Sequence, residues 1–312
     1  MMRKKRLVLV VILFAGIVTA GMAYSNLRES GGGGEDGLIL VVEGEEHNVY
    51  VENKTTLEAM KGMESAPYFE LLFKPWNESE CWEKAREIIP DLVLDEVDDG
   101  TYHFHSKNNS DIHLSVNKFF RIEYDNVEYR NQLLDREDFL AKQEYINKAI
   151  EVIKKYRGNT SDLRLQTVGY PETEKDGEDV VGYLPIVVVF RQYLYGMPVE
   201  GGIYGVVMLM FGRNMVLISY KDRTLPPERV FNRVNTGHVI PPKEMLEKIA
   251  NNEGGPRNIV VKSITLCLFA PGTPRIVRYN GGPPGMWIPM KYRVVIRPAN
   301  GGTGQILYYD AI

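Results

Sequence analysis

The sequence predicts an α+β protein made of repeated units, each with one helix packed on an antiparallel sheet, after an N-terminal membrane or signal segment. Three observations predict this fold. A helical pattern followed by several strand-like runs occupies residues 135–235, and the same order returns at residues 236–312. A fainter version occupies residues 38–134. The hydrophobic fraction of 44% is typical of a globular chain with a real core.

Residues 1–24 predict a membrane anchor or a signal peptide. The basic start "MMRKKR" precedes the uncharged apolar run Leu7–Tyr24, whose 18 residues are close to the shortest length that spans a bilayer as a helix. The positive charges favour a cytoplasmic N-terminus. We favour an uncleaved anchor, while Gly21-Met22-Ala23 keeps a cleaved secretory signal open. The chain is thus expected to be a single-pass cell-membrane protein with its bulk outside the cytoplasm, or a secreted protein if the leader is cleaved.

Residues 25–37 predict a flexible tether, because their four consecutive glycines are costly to order. The first unit then opens with a hairpin in "GLILVVEGEEHNVYV" and continues with a short helix at "SECWEKAREII". Strand-like runs follow, and Asp99-Gly100 predicts a hairpin turn between the first two. These runs are "LVLDEV", "TYHFHS", "DIHLSV" and "FFRIEY".

The second unit carries the clearest helix, "DREDFLAKQEYINKAIEVIKKYRG", in which apolar residues recur at three- and four-residue steps and Gly158 provides the end. The runs "DLRLQTVGY", "LPIVVVFRQYLY" and "GVVMLMFGRNMVLISY" follow as strands, the last as a hairpin that turns at Gly212–Asn214. The third unit repeats this order. Its helix is "PPKEMLEKIANNEGG", and its strands are "NIVVKSITLCLFA", "MWIPMKYRVVIRP" and "GQILYYDAI".

The stretch "QYLYGMPVEGG" lies between two strand-like runs. Pro198 lacks a backbone donor and Gly201-Gly202 weaken strand pairing, so the stretch predicts a bend or a sheet edge. Its residues Tyr195–Gly201 also resemble the hinge of PepSY-type domains and of the related propeptide domain of thermolysin-like proteases. Ile288–Val294 and Asp310-Ala311 resemble the closing strands of such domains. The resemblance covers roughly residues 138–312, which would make residues 135–235 and 236–312 two PepSY-like units.

An anchored chain with tandem units of this kind is also similar to YycH/YycI-type accessory proteins, which modulate a membrane histidine kinase. No protease sequence follows the last unit, so we do not expect a propeptide that acts in cis, and the first unit lacks the hinge. The resemblance implies a non-catalytic protein that binds and modulates another membrane or secreted protein. Its expected contact residues are Tyr193, Tyr195, Met197, Pro198, Val199 and Trp287. The alternatives are a protease inhibitor or chaperone of propeptide type, a metal-binding extracytoplasmic protein, and a carbohydrate-binding module that uses the tyrosines.

Three histidines make a candidate metal site. His103 and His105 share one face of a strand because strand side chains alternate, and His113 on the next strand can face them. Three imidazoles on adjacent strands can bind zinc or copper. The alternative interpretation is a polar, solvent-facing side of a sheet.

Export from the cytoplasm would permit two covalent modifications of this chain, disulfide formation and glycosylation. Cys81 and Cys267 can pair in an oxidising compartment, or they can remain buried thiols, and the alternation in "KSITLCLF" suits a core position for the second. Four sequons permit glycosylation. They begin at Asn53, Asn77, Asn108 and Asn159.

Composition and missing motifs exclude several classes of function. The net charge is −4, with acidic and basic residues mixed along the chain, so no nucleic-acid partner is expected. The sequence lacks the short motifs of zinc proteases, serine hydrolases, dithiol oxidoreductases and dinucleotide-binding enzymes. We therefore predict no enzymatic activity and no cofactor, although catalysis by paired carboxylates leaves no short motif and stays open.

Overall fold

The computed structural model describes residues 38–43, 48–169, 173–176, 179–251, 258–278 and 281–312. The predicted anchor and tether lie outside these residues. Within the described ranges, no helix has the length and apolar character needed to cross a membrane.

Four helices occur in the described part of the chain. They are α1 Lys54–Met63, α2 Glu78–Ile88, α3 Lys142–Tyr156 and α4 Pro242–Ala250. The last three lie where the sequence predicts helices, whereas α1 was not predicted. Its N-terminal signal is Asn53, whose side chain accepts a hydrogen bond from the backbone N–H of Thr56 at 2.9 Å.

Strands make up most of the remaining regular structure. In chain order they are β1 Ile39–Glu43, β2 Asn48–Val51, β3 Pro67–Phe73, β4 Leu92–Asp98, β5 Thr101–Ser106, β6 Ile112–Asn117, β7 Arg121–Asn126, β8 Leu163–Val168, β9 Thr173–Asp176, β10 Asp179–Tyr183, β11 Ile186–Leu194, β12 Met197–Glu200, β13 Val206–Phe211, β14 Leu217–Asp222, β15 Val230–His238, β16 Asn258–Phe269, β17 Ile276–Arg278, β18 Pro284–Pro298 and β19 Gln305–Asp310.

Two compact units divide the chain, and each is drawn from separate stretches of sequence. The first contains the described residues up to Tyr68, together with Asn235–Leu266 and Met290–Ile312. The second contains Phe69–Val234 and Cys267–Pro289.

The first unit is built around β2, which pairs antiparallel with β1 and parallel with β16. Strands β18 and β19 add an antiparallel pair. Helix α4 contacts β1, β2 and α1. Its apolar side is fully buried at Met245 and Leu246, and the hydroxyl of Tyr292 donates to the carbonyl of Ile240 at 2.7 Å.

The second unit contains an antiparallel sheet in the order β4-β5-β6-β7-β14-β13-β11-β8. Helices α2 and α3 pack on one side of it, which we call the helix face. The packing contacts are between aromatic rings: Trp82 lies 5.0 Å from Phe104, and Tyr156 lies 5.4 Å from Tyr220. Because strand side chains alternate, the residues between these point to the opposite side, the polar face, which carries His105, Glu123 and Lys221.

The predicted α+β fold, with repeated units of one helix on an antiparallel sheet, is wrong. The described chain is mostly strand and its pairing is mixed. Ile122–Asp125 of β7 pair with Ser219–Asp222 of β14, so strands assigned to two different units lie side by side. Parallel pairing of β16 with β2 and with β12 breaks the antiparallel pattern. Hydrophobic periodicity specifies the type of each element, but strand partners are chosen by contacts between distant parts of the chain.

Candidate functional site

The stretch that was predicted as a bend is a tight β-hairpin. Strands β11 and β12 pair antiparallel, with Tyr193 opposite Pro198 and Leu194 opposite Met197. The turn residues Tyr195 and Gly196 both have positive φ, at 52° and 79°. Two positive φ values at the turn match the twist of the flanking strands, which closes a two-residue hairpin.

Strand β12 is not an open sheet edge, because its other side pairs in parallel with β16 through Val199 and Leu268. Val199 is fully buried, so this predicted contact residue cannot reach a partner. Gly205 packs directly over it: a Cβ atom at Gly205 would lie 2.2 Å from the Val199 carbonyl oxygen. The glycines thus permit close backbone approach, not a free edge.

The two predicted contact tyrosines of the hairpin already pack against other side chains of the same unit. Tyr195 is exposed, with its ring edge-on to Phe69 at 5.7 Å, and the guanidinium of Arg233 lies 3.9 Å from the Phe69 ring and 5.3 Å from that of Tyr195. Tyr193 is half-buried, and the guanidinium carbon of Arg164 lies 4.0 Å from the centre of its ring. Met197 and Pro198 are half-buried. This side of the hairpin offers one exposed aromatic side chain.

Trp287 is half-buried on β18. Its indole Nε1 donates to the carboxylate of Glu70 at 2.8 Å, and Arg275 lies over the ring at 4.9 Å. The indole is therefore already engaged by a carboxylate and a cation within its own unit.

The three candidate metal ligands lie on one face but do not converge. His105 is opposite His113 in the β5–β6 register, and His103 is opposite Ser115. The Nδ1 atom of His105 is 2.6 Å from Asp95, and that of His103 is 2.9 Å from the hydroxyl of Ser115. In the ranges that the structure covers, no group of three or more His, Cys, Asp or Glu side chains could hold a metal ion.

The two cysteines are buried and no disulfide joins them. Cys81 lies on α2 and Cys267 on β16, and both side chains are fully buried. Burial raises the pKa of the Cys81 thiol to about 11, and the nearby carboxylates of Glu80 and Glu78 raise it further. The pairing that the sequence left open is not formed, and the Cys81 thiol is in a chemically inert setting.

All four sequon asparagines are exposed. Asn53 and Asn77 lie at the N-termini of α1 and α2, where their side chains accept backbone hydrogen bonds, and Asn108 and Asn159 lie in loops. Glycosylation stays a prediction.

Strand β4 has mostly exposed side chains. It pairs with β5 on one side, and six of its seven residues are exposed. Leu94 and Val97 are opposite Phe104 and Tyr102, which places them on the helix face. On the polar face β4 carries carboxylates, with a bulge between Leu94 and Glu96. These carboxylates belong to Asp95, Glu96 and Asp98.

A cavity of about 330 Å³ opens on the helix face of the same unit. Trp76, Phe120 and Tyr156 form its aromatic wall, and Arg157 and Asp222 form its charged side. The charged groups satisfy one another. Arg157 is bidentate to Asp162 at 2.6 and 2.8 Å, and Asp222 accepts from the hydroxyls of Tyr220 at 3.0 Å and Thr224 at 2.7 Å. The network joins α3 to β14 and pairs Arg157 and Asp222 with neighbouring side chains.

No protein-family model matches the chain, and no curated protein matches it. Among solved structures, the chain is similar to an uncharacterized protein from Eubacterium rectale ATCC 33656, with 12% sequence identity, coverage of 86% of this chain and 90% of that chain, and a TM-score of 0.48. A structural likeness this weak indicates nothing about the function of the chain.

Proposed function

We propose that the protein is a non-catalytic binding protein that takes up an extended, basic segment of another membrane or secreted protein along β4. The side chains of β4 carry this proposal, because six of its seven residues are exposed. An exposed strand at the margin of a sheet can pair with an extended segment, which gains affinity from main-chain hydrogen bonds and specificity from alternate side chains.

The apolar residues of β4 distinguish it from a protected sheet edge. Proteins commonly shield edge strands with charges, and the carboxylates of β4 serve this purpose. Val97 is nevertheless 53% exposed, and Val93 and Leu94 are 39% and 37% exposed. Apolar side chains that remain in water on an edge strand are a liability unless a partner covers them.

The two faces of β4 define the chemistry of the segment. On the helix face, Val97 lies opposite the half-buried Tyr102, and Leu94 lies opposite Phe104, whose ring packs against Trp82. On the polar face, Glu96 and Asp98 point to where lysine or arginine side chains of an added strand would lie. The expected segment therefore alternates apolar and basic residues.

The predicted location fits this role. A basic start, an apolar run and a glycine-rich tether precede the described residues, and they support a position outside the cytoplasm at the membrane surface. An anchored protein of this kind would meet the exposed tails and loops of membrane and secreted proteins.

The test uses the full chain and a nonapeptide that alternates valine and lysine, with binding followed by fluorescence anisotropy. We expect saturable binding that weakens with salt, and at least tenfold weaker binding to the double variant Glu96→Lys with Asp98→Lys. The matched control is Glu58→Lys with Glu64→Lys, which makes the same charge change at two exposed sites, one in α1 and one at its C-terminal end. A peptide that alternates valine and glutamate should not bind. No binding of the lysine peptide, or equal binding by the double variant, would refute the proposal.

A further inference from the structure

A second feature of the same unit lies on the polar face, where β7 and β14 adjoin. Glu123 of β7 is held by the guanidinium of Arg223, at 2.6 and 3.1 Å, and lies 3.9 Å from the ammonium of Lys221. Arg121, two residues before Glu123 on β7, adds a third cation that acts on the same carboxylate. Three cations and one carboxylate leave a net charge of 3 − 1 = +2 in this cluster.

Two polar atoms in this cluster are buried without a hydrogen-bond partner: Nε of Arg121 and the hydroxyl of Tyr204. Tyr204 is only 1% exposed. It precedes Gly205, whose backbone N–H donates to the carbonyl of Arg223 at 2.8 Å, so the backbone beside Tyr204 adjoins Arg223. A buried donor without an acceptor costs free energy, and such groups in a folded protein call for a bound water, ion or ligand.

The electrostatic environment of the phenol points to the same place. Burial raises the pKa of Tyr204 to about 12, while the positive charges of Arg121 and Arg223 act to lower it. The phenol hydroxyl therefore lies in the electric field of both guanidinium groups. The phenol remains protonated at neutral pH and can donate a hydrogen bond.

We propose that this cluster binds an oxyanion with two negative charges, of which phosphate is the simplest. The hydroxyl of Tyr204 and the Nε–H of Arg121 donate to the oxyanion, and its charge compensates the excess of +2. Hydrogen bonds from arginine and a hydroxyl to an anionic oxygen are short and stronger than bonds between neutral groups. The site is separate from β4 and does not depend on the function proposed for that strand.

The test is titration of the full chain with inorganic phosphate by calorimetry, and by thermal unfolding at constant ionic strength with chloride as the reference anion. Phosphate is expected to bind and to raise the unfolding temperature as its concentration rises. Arg121→Gln should weaken binding at least tenfold. The matched control is Arg278→Gln, which removes an exposed arginine of the same unit and should leave phosphate affinity unchanged.

Tyr204→Phe tests the phenol separately and removes only one atom, so the variant is expected to fold. It should weaken phosphate binding severalfold, without loss of stability when phosphate is absent, because the hydroxyl then has no partner to lose. If a trapped water satisfies the hydroxyl instead, Tyr204→Phe will lower stability equally with and without phosphate, and the proposal fails. It also fails if the wild-type chain does not bind phosphate, or if Arg121→Gln binds it as tightly as the wild type.

Discussion

Gly205 approaches Val199 so closely that a Cβ atom at position 205 would lie 2.2 Å from the Val199 carbonyl oxygen. Gly205 also has a φ of +78°, which side chains rarely adopt. This contact, more than a flexible hinge, explains why a glycine occupies position 205. It brings the backbone before β13 against a strand that is paired on both of its sides.

Replacement of Gly205 by alanine should therefore destabilise the protein strongly, because the added methyl group collides with backbone that cannot move away. We expect a loss of about 2 kcal/mol or more in the free energy of unfolding, measured by urea denaturation. Gly62→Ala is the matched control. It lies in α1 with nothing within 4 Å of its added Cβ, and it should stabilise the protein by about 0.5–1 kcal/mol. Equal effects of the two changes would contradict this account of Gly205.

The Arg157 network should contribute more to stability than any surface ion pair of the chain. Burial works against the charge of Arg157, but Asp162 and Asp222 hold its pKa above the ordinary value. Arg157→Leu leaves these two carboxylates buried without their cation, so we expect a loss of about 3–5 kcal/mol in unfolding free energy. Lys84→Gln breaks the more exposed pair with Glu87, at 2.7 Å, and should cost about 0–1 kcal/mol. A loss below 1 kcal/mol for Arg157→Leu would show that the network is not structural.

Turns and helices that depend on residues close together in the sequence could be predicted. Asp99-Gly100 is a hairpin turn as predicted, with φ values of 43° and 72°, because both residue types tolerate positive φ. Helix α3 follows from apolar spacing and its terminal Gly158. Helix α1 was missed, although Asn53 three residues before Thr56 is a recognisable N-terminal signal.

Contacts between distant residues account for what the sequence could not reveal. Tyr195 is not a residue type that marks a hairpin turn, and the pairing of Val199 with Leu268 depends on a strand far along the chain. Arg121 and Tyr204 belong to no motif. They become neighbours only because β7 pairs with β14 and β14 with β13, and no periodic pattern specifies which strands pair.

Glu123 predicts how stability changes in acid. Burial alone would raise its pKa, but the charges of Arg223 and Lys221 hold the pKa below the ordinary value of 4.5. Its contribution to stability is therefore present above pH 4.5 and is lost as the pH falls through the lowered pKa of the folded state. Urea midpoints measured between pH 7 and pH 3 should fall less steeply for Glu123→Gln than for the wild type. Parallel curves for the two proteins would show that Glu123 does not contribute.

The reactivity of Cys81 and Cys267 tests whether both side chains are buried and unpaired, as the structure shows. Because Cys81 and Cys267 are buried and no disulfide joins them, neither should react with a thiol reagent in the folded protein, and both should react in denaturant without prior reduction. Burial favours the neutral thiol of Cys81, whose pKa is raised to about 11, so the thiolate that attacks such reagents is scarce at neutral pH. Mass spectrometry measures the number of labelled cysteines in the folded and in the denatured protein, with dithiothreitol-treated protein as the control. Thiols that appear in denaturant only after reduction would mean that the two cysteines pair in the native protein.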